Sequence, residues 1–157
     1  MKDIKEYIYE GLLRGQKSTL DNGEEVVYAL MEEFLKENYS GNWIISEKPN
    51  KDGVYEVSSN ESIRVKNTKI TSLTNDLFIW TSIKGSFFCY HCSELKSLKG
   101  SPKEVGYYFD CSNCNSLKSL EGAPEDAGNC FDCINCGKSF TKDDVKKISK
   151  VNGNIYC

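Results

Sequence analysis

The stretch that decides the fold runs from Gly85 to Gly128 and states one pattern twice: GSFFCYHCSELKSLKGSPKEVG over residues 85–106, then YYFDCSNCNSLKSLEGAPEDAG over residues 107–128. At an offset of 22 residues Phe87 falls on Phe109, Cys89 on Cys111, Cys92 on Cys114, Leu95 on Leu117, Leu98 on Leu120, Gly100 on Gly122, Pro102 on Pro124 and Gly106 on Gly128. A partial third copy follows, with Phe131, Cys133 and Cys136 at the same offset. A period in this range belongs to solenoids, in which each repeat buries its apolar face only against its neighbours. The recurring Phe, Cys and Leu positions are therefore the inward ones.

The unit has the form F-x-C-x-x-C-x-x-L-x-x-L-x-G-x-P, and it resembles the leucine-rich repeat, L-x-x-L-x-L-x-x-N/C-x-L. On that resemblance Val105, Phe109 and Cys111 point inward around a short strand, Cys114 holds the Asn/Cys position, and Leu117 and Leu120 line the return. The C-x-x-L spacing agrees with the form the family takes when that position is Cys. More narrowly, SLKGSPKEVGYYFDC and SLEGAPEDAGNCFDC are similar to the repeats of small leucine-rich proteins encoded by tailed phages and prophages of gut bacteria. The resemblance implies an α/β leucine-rich-repeat solenoid of about five parallel strands in 22-residue repeats, closed by an N-terminal helix and β-hairpin cap. It also implies a protein-binding or structural module rather than an enzyme.

Upstream of the clear repeats, SIRVKNTKITSL over residues 62–73 reads as a worn copy. Ile63 and Val65 take the strand positions, Asn67 or Thr68 stands near the Asn/Cys position, and Ile70 and Leu73 take those of Leu117 and Leu120. The return after it, TNDLFIWTSIKG, is about three residues longer than the later ones; Leu77, Phe78, Ile79 and Trp80 are expected to pack there as core beneath the N-terminal helices. Earlier still the period is two: Asn42 to Ser46 and Val54 to Ser58 read as strands joined by Pro, Asn and Asp-Gly turn chemistry, which predicts a hairpin. Ile4, Tyr7, Ile8 and Leu12 make the stripe of a short helix. Asp21 and Glu24 form a capping-box-like pair before a second helix carrying Val27, Leu30, Met31 and Phe34. Residues 1–60 are thus expected as the cap and 61–157 as the repeat stack. Downstream, Thr141 and Asp144 predict a short helix from Lys142 to Ser149, and Val151 to Cys157 a final strand.

With 157 residues the chain is one domain's worth. Its 20 basic and 23 acidic residues and a pI near 5.3 give no electrostatic footprint for nucleic acid or an anionic membrane. No apolar run approaches the length of a membrane span, and MKDIKEYIYEGLL lacks the continuous apolar region of a secretory signal. The expected compartment is the cytoplasm, where eight cysteines are thiols or ligands. MKDIKEYIYEG is also similar to the capsid-targeting peptides of internal head proteins in large tailed phages. That resemblance implies cleavage after Glu10, in the site Ile8-Tyr9-Glu10.

Several patterns carry possible chemistry. Cys89 and Cys92 followed by Cys111 and Cys114 have the spacing of a tetrathiolate zinc ribbon, which would make the chain a nucleic-acid binder. The repeat explains the same residues as two inward ladders, Cys89/Cys111/Cys133 and Cys92/Cys114/Cys136. It also accounts for the third CxxC pair and for the Leu, Gly, Pro and Phe that recur with it, so no metal or other cofactor is expected. Gly137-Lys138-Ser139 has only the tail of a phosphate-binding loop, with Asp132 where a glycine is needed. His91, the single histidine, aligns with Asn113 and Asn135 and is expected at a turn, so no catalytic residue is assigned.

What remains is the outward face of the strands. Alternation places Phe88, Asp110, Asp132 and Tyr156 in one column, Tyr90, Ser112 and Ile134 in the next, and Ser86, Tyr108, Cys130 and Asn154 in a third. Phe88, Tyr90, Tyr108 and Tyr156, flanked by Asp110 and Asp132, are expected to capture a protein partner, because aromatic side chains anchor most interfaces. The oligomeric state is left open.

Overall fold

A computed structural model of the chain describes residues 23–157. The helix expected from Ile4 to Leu12, the capping pair led by Asp21 and the cleavage site at Glu10 lie outside the described residues.

Helix α1 (Gly23–Asn38) forms because Val27, Leu30, Met31, Phe34 and Leu35 recur at three- and four-residue steps. Met31 and Leu35 are fully buried, and Phe34 packs on Phe78 with ring centroids 5.9 Å apart. The helix ends by docking its last residue. The backbone oxygen of Asn38 accepts from Lys66 N at 2.8 Å, and its side chain accepts from Asn67 Nδ2 at 2.8 Å. The chain then enters β1 (Tyr39–Ser40), so helix and strand together close the first coil.

Ten strands follow in two sheets. The first contains β1, β4 (Ile63–Val65), β6 (Phe87–Phe88), β8 (Tyr108–Asp110), β9 (Cys130–Asp132) and β10 (Asn154–Tyr156), in that spatial order. The last five are parallel to one another, and β1 is antiparallel to β4. The second sheet contains β2 (Ile44–Ile45), β3 (Tyr55–Ser59), β5 (Phe78–Ile83) and β7 (Glu104–Val105). The expected hairpin is the antiparallel pair of β2 and β3; β3, β5 and β7 are parallel, and bridges through Glu104, Asp126 and Lys150 prolong the line. A short helix, α2 (Lys142–Lys146), occupies the last return behind a capping box in which Thr141 and Asp144 serve each other's backbone N–H. The architecture is a mixed α/β fold: an N-terminal helix on a β-solenoid of about four turns.

The residues expected inward around a short strand, Val105, Phe109 and Cys111, are divided between the sheets: Val105 lies in β7 of the second sheet and Phe109 in β8 of the first. In one continuous strand residues 105, 107, 109 and 111 would share a face. Val105, Phe109 and Cys111 are buried, yet Tyr107 between them is 56% exposed. The chain turns a corner at Gly106, where an added Cβ would run into the backbone carbonyl of Lys84 on the previous coil. By the same logic the long return after Leu73 is a full strand of the second sheet, β5. Its Phe78 and Trp80 are buried and in ring contact with Phe34 and Tyr39 respectively.

Between the sheets runs a column of aromatic rings. Tyr39 and Trp80 cover Phe87, Phe87 stacks on Phe109 at 6.0 Å with the planes 5° apart, and Phe109 meets Phe131 at 5.1 Å. Burial pushes the Tyr39 phenol upward in pKa, and its hydroxyl donates to Leu73 O at 2.6 Å. Leu95, Leu98, Leu117 and Leu120 fill the opposite side from the returns. Asn67, rather than Thr68, holds the position of the corner cysteines: Ile70 N donates to Asn67 O as Leu95 N does to Cys92 O and Leu117 N to Cys114 O. The returns of the two clear repeats reach Gly100 and Gly122 in the left-handed region, where the worn copy has Asp76 with φ at 65°. A Cβ at Gly122, with φ at 86°, would strike the backbone of Leu98 and Lys99 one coil back.

No helix among the described residues is long and apolar enough to cross a membrane.

Candidate functional site

The outward strand columns exist in the predicted register. Phe88 pairs with Asp110, Asp110 with Asp132, and Asp132 with Tyr156. Tyr108 and Tyr156 stand out into solvent, 49% and 44% exposed, while Phe88, Tyr90, Asp110 and Asp132 are half-buried. Phe88 and Tyr90 meet edge to face at 6.2 Å. All six residues therefore share one face of the first sheet.

Two neighbours expected on that face are covered instead. Ser86 and Cys130 are each only 6% exposed. They flank Tyr108 in its column. Ser86 is also engaged at the corner: its N donates to Ser62 Oγ at 3.0 Å and its Oγ accepts from Tyr108 N at 3.3 Å. Ser112, also assigned outward, is buried because its hydroxyl donates to Asp110 Oδ1 at 2.6 Å.

The carboxylates have local work as well. Asp110 Oδ1 accepts from Ser112 N at 2.9 Å, and Asp132 Oδ1 accepts from Ile134 N at 3.0 Å. Each aspartate thus organises the turn that leaves its own strand, in the Asx manner. Immediately after, His91, Asn113 and Asn135 adopt the left-handed conformation, with φ of 57°, 56° and 55°. That is the turn role expected of His91. Asn is among the residues that tolerate this region, and Asn135 Nδ2 donates to Asn113 Oδ1 at 3.3 Å along the stack. Asp132 is held above the usual carboxylate range, first by burial and then by the charge of Asp110 one strand away, while the Ile134 amide acts in the opposite direction.

Arg64 completes the face. Its guanidinium lies 5.0 Å from the ring centroid of Phe88 and 5.0 Å from that of Tyr90, a doubled cation–π contact. The register pairs Arg64 with Phe88, so it heads the same column. The sequence signal was present: Arg64 is the outward residue between inward Ile63 and Val65. The worn repeat is offset from the next by 24 residues rather than 22, which hides the column from the 22-residue pattern.

The six CxxC cysteines lie on the other side of the sheet. Cys89, Cys111 and Cys133 follow one another inward, with Cys92 and Cys114 buried beside them and Cys136 half-buried. Cys114 Sγ donates to Cys89 O at 3.1 Å and Cys136 Sγ to Cys111 O at 3.2 Å, so these thiols tie each corner to the coil before it. Burial pushes the Cys89 thiol up; for Cys111 the hydrogen bond with Cys136 and burial act together in the same direction. Protonated thiols in such sites are poor nucleophiles and poor metal ligands. Among the described residues no three His, Cys, Asp or Glu side chains are arranged to hold a metal ion. A groove of about 370 Å³ beside α2 is lined by Leu120, Phe140 and Ile148 with Lys118, Lys138 and Lys147. It holds neither a histidine nor a thiol, and the Asp144 carboxylate that borders it is bonded to Thr141.

Fold and face together define a class: a β-solenoid repeat protein that presents aromatic and charged side chains on its strand surface. Compared with protein-family models, curated proteins and solved structures, the chain matches none of them.

Proposed function

We propose that the chain is a leucine-rich-repeat protein of 22-residue units, cytoplasmic and non-enzymatic, that binds a protein partner on its strand face. Phe88, Tyr90, Tyr108 and Tyr156 are the anchors, with Asp110 and Asp132 beside them. The repeat assignment is supported by Val105, Phe109, Cys111, Cys114, Leu117 and Leu120, which are all buried at the positions the pattern reserves for inward residues. The binding assignment is carried by one observation: aromatic side chains, two of them about half exposed, line adjoining columns of a single sheet face next to charged groups. Large exposed rings at a contiguous site are what interfaces use for affinity.

The experiment is a ribosome-displayed random peptide library panned on the immobilised chain, and then on a Tyr90→Ala/Tyr108→Ala variant shown by circular dichroism to be folded. Enrichment on the parent chain, lost on the variant, is the expected result. No enrichment, or enrichment indifferent to the two substitutions, overturns the assignment.

A further inference from the structure

The strand face is polarised in charge along the solenoid axis. One column runs Arg64, Phe88, Asp110, Asp132, Tyr156, each residue one strand from the next. At one end the Arg64 guanidinium rests on Phe88 and Tyr90, 5.0 Å from each ring centroid. The rings fix the planar group without consuming its N–H fork, which matches a carboxylate in two parallel hydrogen bonds. Further along, Asp110 and Asp132 are adjacent in the ladder. One oxygen of each is bonded to its own turn, at Ser112 and Ile134, and the second oxygen of each has no hydrogen-bond partner among the described residues. The carboxylate of Asp132 is disfavoured in its charged form by burial and by Asp110 beside it, and a cation placed between the two relieves that repulsion.

We propose that the partner lies as an extended segment across the strands, setting a carboxylate on Arg64, an apolar side chain on Phe88 and Tyr90, and a lysine or arginine on the Asp110–Asp132 pair. This inference rests on the strand face being the docking surface. Its spacing follows from geometry. Neighbouring strands are about 4.8 Å apart, so the backbone positions of Arg64 and Asp132, three strands apart in register, are separated by about 14 Å, with the guanidinium leaning inward over Phe88. An extended chain advances about 3.4 Å per residue and points every second side chain to the same face. Three side chains facing the sheet at i, i+2 and i+4 span about 14 Å as well. The partner motif is therefore acidic-x-apolar-x-basic, in either chain direction. Nucleic acid and wholly acidic peptides do not fit, because their second anion falls on the aspartates.

Sequencing the peptides enriched on the chain tests the motif. The expected result is an acidic and a basic residue four positions apart with an apolar residue midway. A fluorescein-labelled enriched peptide is then titrated by anisotropy. Arg64→Gln is expected to weaken it about tenfold, the size of one charge-assisted bidentate contact. Arg64→Glu weakens it further, and changing the peptide's acidic residue to lysine restores binding to the Arg64→Glu chain. Peptides that need Tyr90 and Tyr108 but lack the charge spacing and ignore both Arg64 variants overturn this inference and leave the docking surface standing. An absence of enriched peptides overturns both.

Discussion

Truncating Phe109 to Ala tests whether the stack is held by its ring column. The ring is fully buried, 6.0 Å from Phe87 on one side and 5.1 Å from Phe131 on the other. A Phe→Ala change in a core costs about 3–5 kcal/mol when the site cannot collapse. Collapse is blocked here, because the strand bearing Phe109 is bonded to β6 on one side and β9 on the other. Against a total stability of about 5–15 kcal/mol the loss is a large share. With a slope of about 2 kcal/mol per molar urea the unfolding midpoint falls by about 2 M. Two probes make the test sharper. Both tryptophans, Trp43 and Trp80, precede the clear repeats, so fluorescence follows the N-terminal coils while far-ultraviolet circular dichroism follows the whole chain. In a stack stabilised between nearest neighbours, a hole in a middle coil uncouples the two sides. The two transitions, coincident in the parent chain, are expected to separate in Phe109→Ala, with tryptophan fluorescence changing at the higher urea concentration. A midpoint shift below about 0.5 M would refute the energetic argument, and coincident transitions would refute the nearest-neighbour one.

Other outcomes follow from the thiols and the carboxylates. Under native conditions a disulfide reagent is expected to react first with exposed Cys157 and next with half-buried Cys136, whose pKa is lowered by the hydrogen bond with Cys111; the other six thiols should appear only on unfolding. The purified, untagged chain is expected to carry no zinc, and one zinc per chain by atomic absorption would overturn the cysteine packing at Cys89 to Cys114. Asp132→Asn keeps the Oδ1 acceptor for Ile134 N and removes a charge that burial and Asp110 disfavour. Because the folded-state pKa of Asp132 lies above its unfolded value of about 3.9, the proton held by the folded state stabilises it at low pH, and that contribution is lost as pH rises through the folded pKa. The variant should therefore melt above the parent at pH 7, with the gap closing as pH falls toward 4 and below. A constant gap across that range would contradict the assignment.

The repeat made the inward half of this protein legible in advance. A residue that recurs at a fixed offset with Phe, Cys and Leu is recurring because each coil presents the same side chains to the next, so Phe87, Phe109, Phe131, the six CxxC cysteines and Leu95 to Leu120 were readable as core. The parallel register, the turn at His91, Asn113 and Asn135, and the capping box at Thr141 were readable for the same reason: each is specified within one coil or copied between coils. The outward half was legible only as columns. That Ser86 and Cys130 are buried in an outward column was not legible from alternation alone. That Arg64 lies over Phe88 and Tyr90 depends on a register of 24 residues that the 22-residue pattern conceals. The second sheet is likewise a tertiary decision. Val105, Tyr107 and Phe109 fit one continuous strand by alternation, yet the chain divides them between two sheets at Gly106, which packs against the backbone of Lys84 on the coil before, and leaves Tyr107 exposed. Periodicity thus fixes which residues face the core, while the corners, and the face they leave to solvent, are set by contacts between coils that no single repeat contains.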